Sequence, residues 1–148
     1  WLYLCVVVDL YSGIVVGWSM SRCQNRQLVI QAVLMALWQR ESRQPVILHS
    51  DRGCQFTSDE YQRFLKGHNL TCSMSGVGSC ADNAACEGFF GMLKRERVNR
   101  RRYETHADAR ADIFDYIECF YNPRRRRRKL EALKRKKSNL TQPSVVSG

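Results

Sequence analysis

With 148 residues, 44% of them hydrophobic, the chain has room for one core-forming domain and a tail. No apolar run approaches the roughly 18 to 20 residues needed to span a bilayer, which excludes a helical membrane protein. Its formal charge of +10 is concentrated at one end: from Pro123 onward ten Lys and Arg stand against Glu131 alone, while the first 122 residues carry only about +1. Such a block is a polyanion-binding arm or a solubilising tail, and with no apolar anchor to favour a membrane, nucleic acid is the favoured partner. The seven cysteines are odd in number and include no C-x-x-C pair, so neither a disulfide framework nor a zinc site is signalled. They read as reduced, small apolar fillers, and His49, His68 and His106 offer none of them the context of a catalytic nucleophile.

Leu2 to Val8 is apolar nearly throughout and rich in β-branched residues, which predicts a strand covered on both faces. It lacks the basic flank and cleavage site of a signal peptide, and the opening at Trp1 reads as an internal piece of a longer protein, expected in the cytosol. Asp9 to Gly13 supplies turn chemistry, and Ile14 to Met20 is the returning strand of a hairpin. Asn25 can cap a helix from Arg26 to about Arg40 with one apolar face. Past Pro45, a short strand from Val46 to His49 runs directly into Asp51.

Thr57 and Glu60 form a capping box for a second helix, with Tyr61, Phe64 and Leu65 on one face and its end at Gly67 and Asn69. Leu70 to Met74 is a further strand. A loop from Ser75 to Ser79 leads to a helix from about Asp82 to Val98, and Thr105 begins another that is expected to run to about Tyr121 and to end at Pro123. This order implies an α/β fold, a mixed sheet with helices on its faces.

Two acids occupy suggestive places. Asp51 falls at the carboxyl end of a strand, where α/β sheets commonly bind ligands. Glu87 falls in the first turns of the Asp82 to Val98 helix, near the positive end of its macrodipole. Lys94 and Arg95 follow Glu87 by seven and eight residues, which puts all three within about 80° on one helical face. A carboxylate and two cations so placed can hold a metal ion and grip a phosphate backbone. Spacing alone leaves a plainer reading open, with Glu87 and Lys94 as solvated surface charges and Asp51 as a turn residue.

The segment His49-Ser50-Asp51-Arg52-Gly53-Cys54-Gln55-Phe56 resembles the second-carboxylate motif of integrase-type transposases, and the segment from Ser79 through Glu87 to Phe90 resembles their glutamate motif. The two acids are separated by 35 residues, the interval of the D,D(35)E signature. The hairpin from Leu2 to Met20 and the closing Phe120-Tyr121-Asn122-Pro123-Arg124 also resemble bacterial insertion-sequence transposases of the second-reading-frame type, with a retroviral-integrase-like core. The resemblance covers about residues 1 to 128. It implies a ribonuclease-H-like mixed sheet flanked by helices. It also implies DNA as partner, both element ends and target, and two divalent cations, Mg²⁺ or Mn²⁺, with Asp51 and Glu87 as catalytic metal ligands.

By the same resemblance Asn83 and Lys94 match positions that touch DNA near the cut, and Arg124, Arg125 and Arg126 are candidate DNA contacts. The expected organisation is a catalytic core over residues 1 to 122 and a basic tail over 123 to 148, acting in the bacterial cytoplasm as part of a homo-oligomer of the full-length protein. Two departures stand out. The family's first catalytic Asp lies on a strand upstream of the position of Trp1, so the sheet is expected to lack its first, central strand. Asp9, the tempting substitute, matches a position on the second strand. The residues after Arg126 also differ from the commoner ending, since Arg127, Arg128 and Lys129 stand where His-Ser and a Leu-Gly-Tyr turn are usual. The resulting expectation is a transposase core catalysing metal-dependent cleavage and strand transfer. The alternatives are a catalytically incomplete DNA-binding fragment and a structure-selective nuclease on the same fold.

Overall fold

A computed structural model describes residues 1–40, 46–50, 59–74 and 84–141. Strand β1 (Tyr3–Val8) pairs antiparallel with β2 (Val15–Ser21). The turn between them is tied by Asp9, whose carboxylate accepts from the Tyr11 N–H at 3.1 Å and the Ser12 hydroxyl at 2.7 Å. Gly13 completes it at φ +72°, a backbone region that side chains penalise. Helix α1 (Arg26–Trp38) starts where expected, with the Asn25 side chain accepting from the Leu28 N–H at 3.2 Å.

Strand β3 (Val46–Ser50), helix α2 (Asp59–Gly67) and strand β4 (Leu70–Met74) form a unit in which β3 and β4 pair parallel. Tyr61 and Leu65 are the buried face of α2, as their spacing predicts, and Asn69 takes the left-handed conformation (φ 60°) that turns the chain into β4. Thr57 of the expected capping box and the Ser75 to Ser79 loop lie outside the described residues.

Alternation along β1 divides the core in two. Leu4, Val6 and Val8 face a cluster built on Phe89, Leu93, Ile113, Tyr116 and Ile117, whereas Cys5 and Val7 face one built on Val29, Val33, Tyr61, Leu65 and Leu70. The strand is therefore covered on both sides, which is why its sequence is apolar without polar interruption. A register irregularity between the pairs Val7 with Gly17 and Val8 with Val15 is a bulge, and it changes the facing of the strand. Val15 joins the first cluster while Gly17 lies under α1.

Helix α3 (Ala84–Glu96) is followed by a 3₁₀ turn (Val98–Arg100) and by helix α4 (His106–Asp115), capped by Thr105, whose hydroxyl accepts from the Asp108 N–H at 3.1 Å. Here one expectation fails: the helix does not end at Pro123. A π-helical segment (Tyr116–Tyr121) leads without a break into helix α5 (Asn122–Thr141). Proline inside a helix normally leaves a carbonyl without its donor and clashes with the preceding turn. The wider π register just before it, with the Asn122 N–H donating to the Ile117 carbonyl, accommodates the missing donor of Pro123. The basic segment thus continues as helix as far as it is described.

The contact between α1 and β2 is close enough to exclude a methyl group at Gly17, where a Cβ would lie 2.1 Å from the Ala32 carbonyl oxygen and 2.9 Å from the Ala36 Cβ. Gly17→Ala is expected to lower the unfolding free energy by about 1–3 kcal/mol through overpacking. Gly88, on the exposed side of α3 with nothing within 4 Å of its would-be Cβ, is the contrasting case. Gly88→Ala should raise stability by about 0.5–1 kcal/mol through helix propensity. Denaturant titrations of both variants check the pair, and equal shifts would contradict the close packing of α1 on β2.

Candidate active site and nucleic-acid interface

Helix α3 is amphipathic in a way that decides which side chains reach solvent. Phe89 (0% exposed) and Leu93 (4%) point into the core. Glu87, Gly88, Gly91, Lys94 and Arg95 lie exposed along the opposite side. This strip carries one carboxylate in the first turn, two basic residues in the last turn and two residues with no side chain between them. It is a smooth surface on which an anionic backbone can approach the helix closely. Among the sequence-predicted site residues, Glu87 and Lys94 are thus both on this face. Asp51 and Asn83 lie outside the described residues, Asp51 directly after the end of β3 at Ser50. Among the described residues no group of three or more His, Cys, Asp and Glu could hold a metal ion.

The C-terminal end of α3 is fixed by polar contacts that the sequence pattern did not reveal. The Tyr116 hydroxyl donates to Glu96 at 2.9 Å, and the Arg124 guanidinium approaches the same carboxylate at 3.6 Å while lying 4.8 Å above the Phe120 ring. Just beyond the helix, Arg97 donates to Asp112 at 2.7 Å and to Asp115 at 2.9 Å, and Arg101 and the Tyr103 hydroxyl complete the shell around Asp112. Burial pushes the Asp112 carboxyl upward, but the hydrogen bonds from Tyr103 and Arg97 and the charges of Arg101 and Arg97 outweigh it, leaving the group below its usual range. Burial, then the bond and the charge of Asp112, pushes the Tyr103 hydroxyl up to about 12.

The three arginines expected at DNA differ in their surroundings. Arg124 is engaged as above, Arg125 lies over the Tyr121 ring at 5.4 Å and against Gly13, and Arg126 is exposed. Asp9 is a turn-former, both carboxylate oxygens accepting from its own turn. Of the cysteines, Cys5 behaves as an apolar filler, its thiol pushed up to about 12 by burial and then by the nearby Cys86. Cys23 and Cys119 are exposed and do not fill the core. Asn122 was also missed: it is buried at 1%, accepts from the Val15 N–H and donates to the Val15 carbonyl, both at 2.9 Å. A polar residue inside the aromatic run before Pro123 was the available signal.

A family model described as an integrase core domain matches residues 1–80, and a second of the same description matches residues 87–141. The chain belongs to the integrase core domain family. Transposase InsF for insertion sequence IS3A of Escherichia coli K12 is 50% identical over 126 residues, 85% of this chain and 44% of that protein. The transposase for insertion sequence element IS904 of Lactococcus lactis is 42% identical over 124 residues, 84% of this chain and 49% of that one. This integrase core chain therefore spans about half the length of the curated relatives it matches, and its resemblance to insertion-sequence transposases holds over most of its length.

Among solved structures, a simian T-cell lymphotropic virus intasome in complex with the PP2A regulatory subunit B56 gamma matches with TM-score 0.55 at 22% identity, over 62% of this chain and 32% of that one. The catalytic core domain of BIV integrase matches with TM-score 0.51 at 21% identity, over 62% and 58%. At that identity the likeness shows the fold, a mixed α/β core of ribonuclease-H-like type. Among the described residues no helix is long and apolar enough to cross a membrane.

Because the folded state holds Asp112 ionised more strongly than the unfolded chain does, its contribution to stability is present above the unfolded carboxyl range near 3.9 and is lost as pH falls through the lower folded value. Asp112→Asn should cost about 1.5–3 kcal/mol at neutral pH, the usual worth of hydrogen bonds to a charged group. The gap between the two proteins should close on acidification. Urea unfolding from pH 7 down to about 3 measures it, and a gap independent of pH would show that the carboxylate charge does not anchor the end of α3.

Proposed function

We propose that the chain is the catalytic core of an insertion-sequence transposase that cleaves DNA at element ends and joins them to target DNA in the bacterial cytoplasm. The observation that carries this reading is the exposed strip of α3, with Glu87 at its start and Lys94 and Arg95 at its end, in a chain of the integrase core domain family. In this reading Asp51, following β3, and Glu87, in the first turn of α3, bring their carboxylates to one site. The donor set is hard oxygen, as Mg²⁺ and Mn²⁺ prefer. Bound there, two such ions would supply activation of a water or DNA 3′-hydroxyl and charge compensation at the leaving oxygen. The residues of the chain do the rest: Asn83, Lys94 and Arg126 orient the phosphate backbone, and the two glycines leave it room beside Glu87. The division into a core over 1–122 and a basic segment over 123–148, and assembly as a homo-oligomer, belong to the same proposal.

A second reading, a DNA-binding fragment with an incomplete catalytic set, draws on the sheet. Among the described residues β1 and β3 head two separate two-stranded sheets, although Cys5 and Val7 of one and Val46 and Leu48 of the other pack on the same cluster.

The experiment is Mg²⁺- or Mn²⁺-dependent joining of duplexes bearing the element's terminal sequences. Wild type, Asp51→Asn and Glu87→Gln are compared, and duplex binding is measured in parallel. Each variant should lose joining by on the order of 100-fold or more, since even outer-shell partners of a metal cost 10–100-fold, while binding DNA as before. Joining that survives Glu87→Gln would overturn the catalytic assignment. Duplex binding without any joining by the wild-type chain would favour the second reading.

A further inference from the structure

We infer that the cleft between the β1–β2 turn and helix α5 is a seat for the phosphate backbone of duplex DNA, formed by Arg125, Arg128, Lys129 and Lys136 against Tyr11. The inference rests on the preceding reading for the identity of the polyanion and adds a second contact surface, distinct from the α3 strip. The cleft encloses about 290 Å³, and its helical wall consists of residues 125, 128, 129, 132, 133 and 136. These recur at three- and four-residue intervals, so they form one stripe of the helix. Four of the six are cations. Between Arg125 and Lys136 the stripe is about 17 Å long at 1.5 Å per residue. A duplex presents one phosphate charge per about 1.7 Å of its axis, so roughly ten fall within that length.

Several local features favour an anion here. Glu131, the one acidic residue of α5, is absent from the cleft wall. The turn's own acid, Asp9, directs both carboxylate oxygens at the Tyr11 N–H and the Ser12 hydroxyl. Gly13 has no side chain where the Arg125 guanidinium passes, 3.3 Å from the place a Cβ would occupy. Tyr11 is 74% exposed, so its ring fills no core, yet the Lys129 Nζ stands 4.8 Å from its centroid. The ring is a positioning residue: it holds a cation at the mouth of the cleft by its π face and leaves the ammonium hydrogens free for a phosphate. An anionic membrane is the less fitting occupant, because the stripe offers only Ala132 and Leu133 as apolar surface for insertion.

The test uses the 148-residue chain and a duplex of arbitrary sequence, with affinity followed by fluorescence anisotropy across a salt series. Arg128→Ala with Lys129→Ala should weaken binding by on the order of tenfold at moderate salt and lower the log–log salt slope by about 2, near 0.9 per lost phosphate contact. Arg127→Ala with Lys134→Ala removes the same charge from exposed positions on the opposite face of α5 and should change both quantities less than half as much. Tyr11→Ala should weaken binding, and Tyr11→Phe, which keeps the ring, should match wild type. Thermal melts confirm that all variants are folded alike. Equal losses from the two double variants, or an effect of Tyr11→Phe as large as that of Tyr11→Ala, overturn the cleft. So does binding to anionic vesicles that equals duplex binding and is lost in the same variants. If duplex binding persists with equal losses, the cleft fails and the transposition reading stands. If the stripe governs binding but Asp51 and Glu87 prove dispensable for joining, the transposition reading fails alone. Absence of any duplex binding by wild type sinks both.

Discussion

The carboxamide of Asn122 accepts from the Val15 N–H and donates to the Val15 carbonyl, closing a span of 107 residues inside the protein. Val15 begins β2 just past the hairpin turn, where a backbone group left unpaired in the core would cost about 1–3 kcal/mol. One side chain satisfies both of its groups at once. The neighbouring Tyr121 hydroxyl donates to the Gly13 carbonyl at 2.9 Å, so two consecutive residues lock the hairpin end to the start of α5. Consecutive residues of a regular helix point about 100° apart, and the π segment ending at Tyr121 is where this double engagement occurs. The direction of α5, and hence where its charges lie, follows from that lock.

On the other side of the hairpin, Gly17 lets α1 press onto β2, and the alternation of β1 sends its side chains into two separate clusters. Helix α3 is held at its core face by Phe89, whose ring meets Tyr121 edge-on at 4.9 Å and lies 6.2 Å from the Tyr116 ring. It is held at its C-terminal end by the Glu96 and Arg97 contacts. A helix anchored along one face and at one end presents the other face rigidly. Glu87 sits on that other face, in the first turn of the helix.

The basic residues divide into two kinds by their surroundings. Arg97, Arg101 and Arg124 compensate buried or half-buried carboxylates and brace the helices. Arg126, Arg127 and Arg128 are exposed, and Lys129 is steered by an aromatic ring rather than by an acid. The +10 charge is thus partly a structural device and partly, among the described residues, unneutralised by any acid in contact with it.

The sequence by itself determined most of the elements and the family. The strands at Tyr3–Val8 and Val46–Ser50, the caps Asn25 and Thr105, the buried face of α2 and the two acidic motifs are local signals, set by periodicity, hydrogen-bonding side chains and spacing. Glu87 and Lys94 could be placed on one face because helical geometry fixes that relation without any partner. What only the tertiary structure decided depends on residues far apart in the chain. The closeness permitted by Gly17, the ring of donors around Asp112 and the pairing of Asn122 with Val15 have no local pattern, because each group's partner lies on another element. The expected helix stop at Pro123 failed for the same reason: proline's missing N–H is a local fact, but whether a helix can absorb it depends on the register and packing of the turn before it.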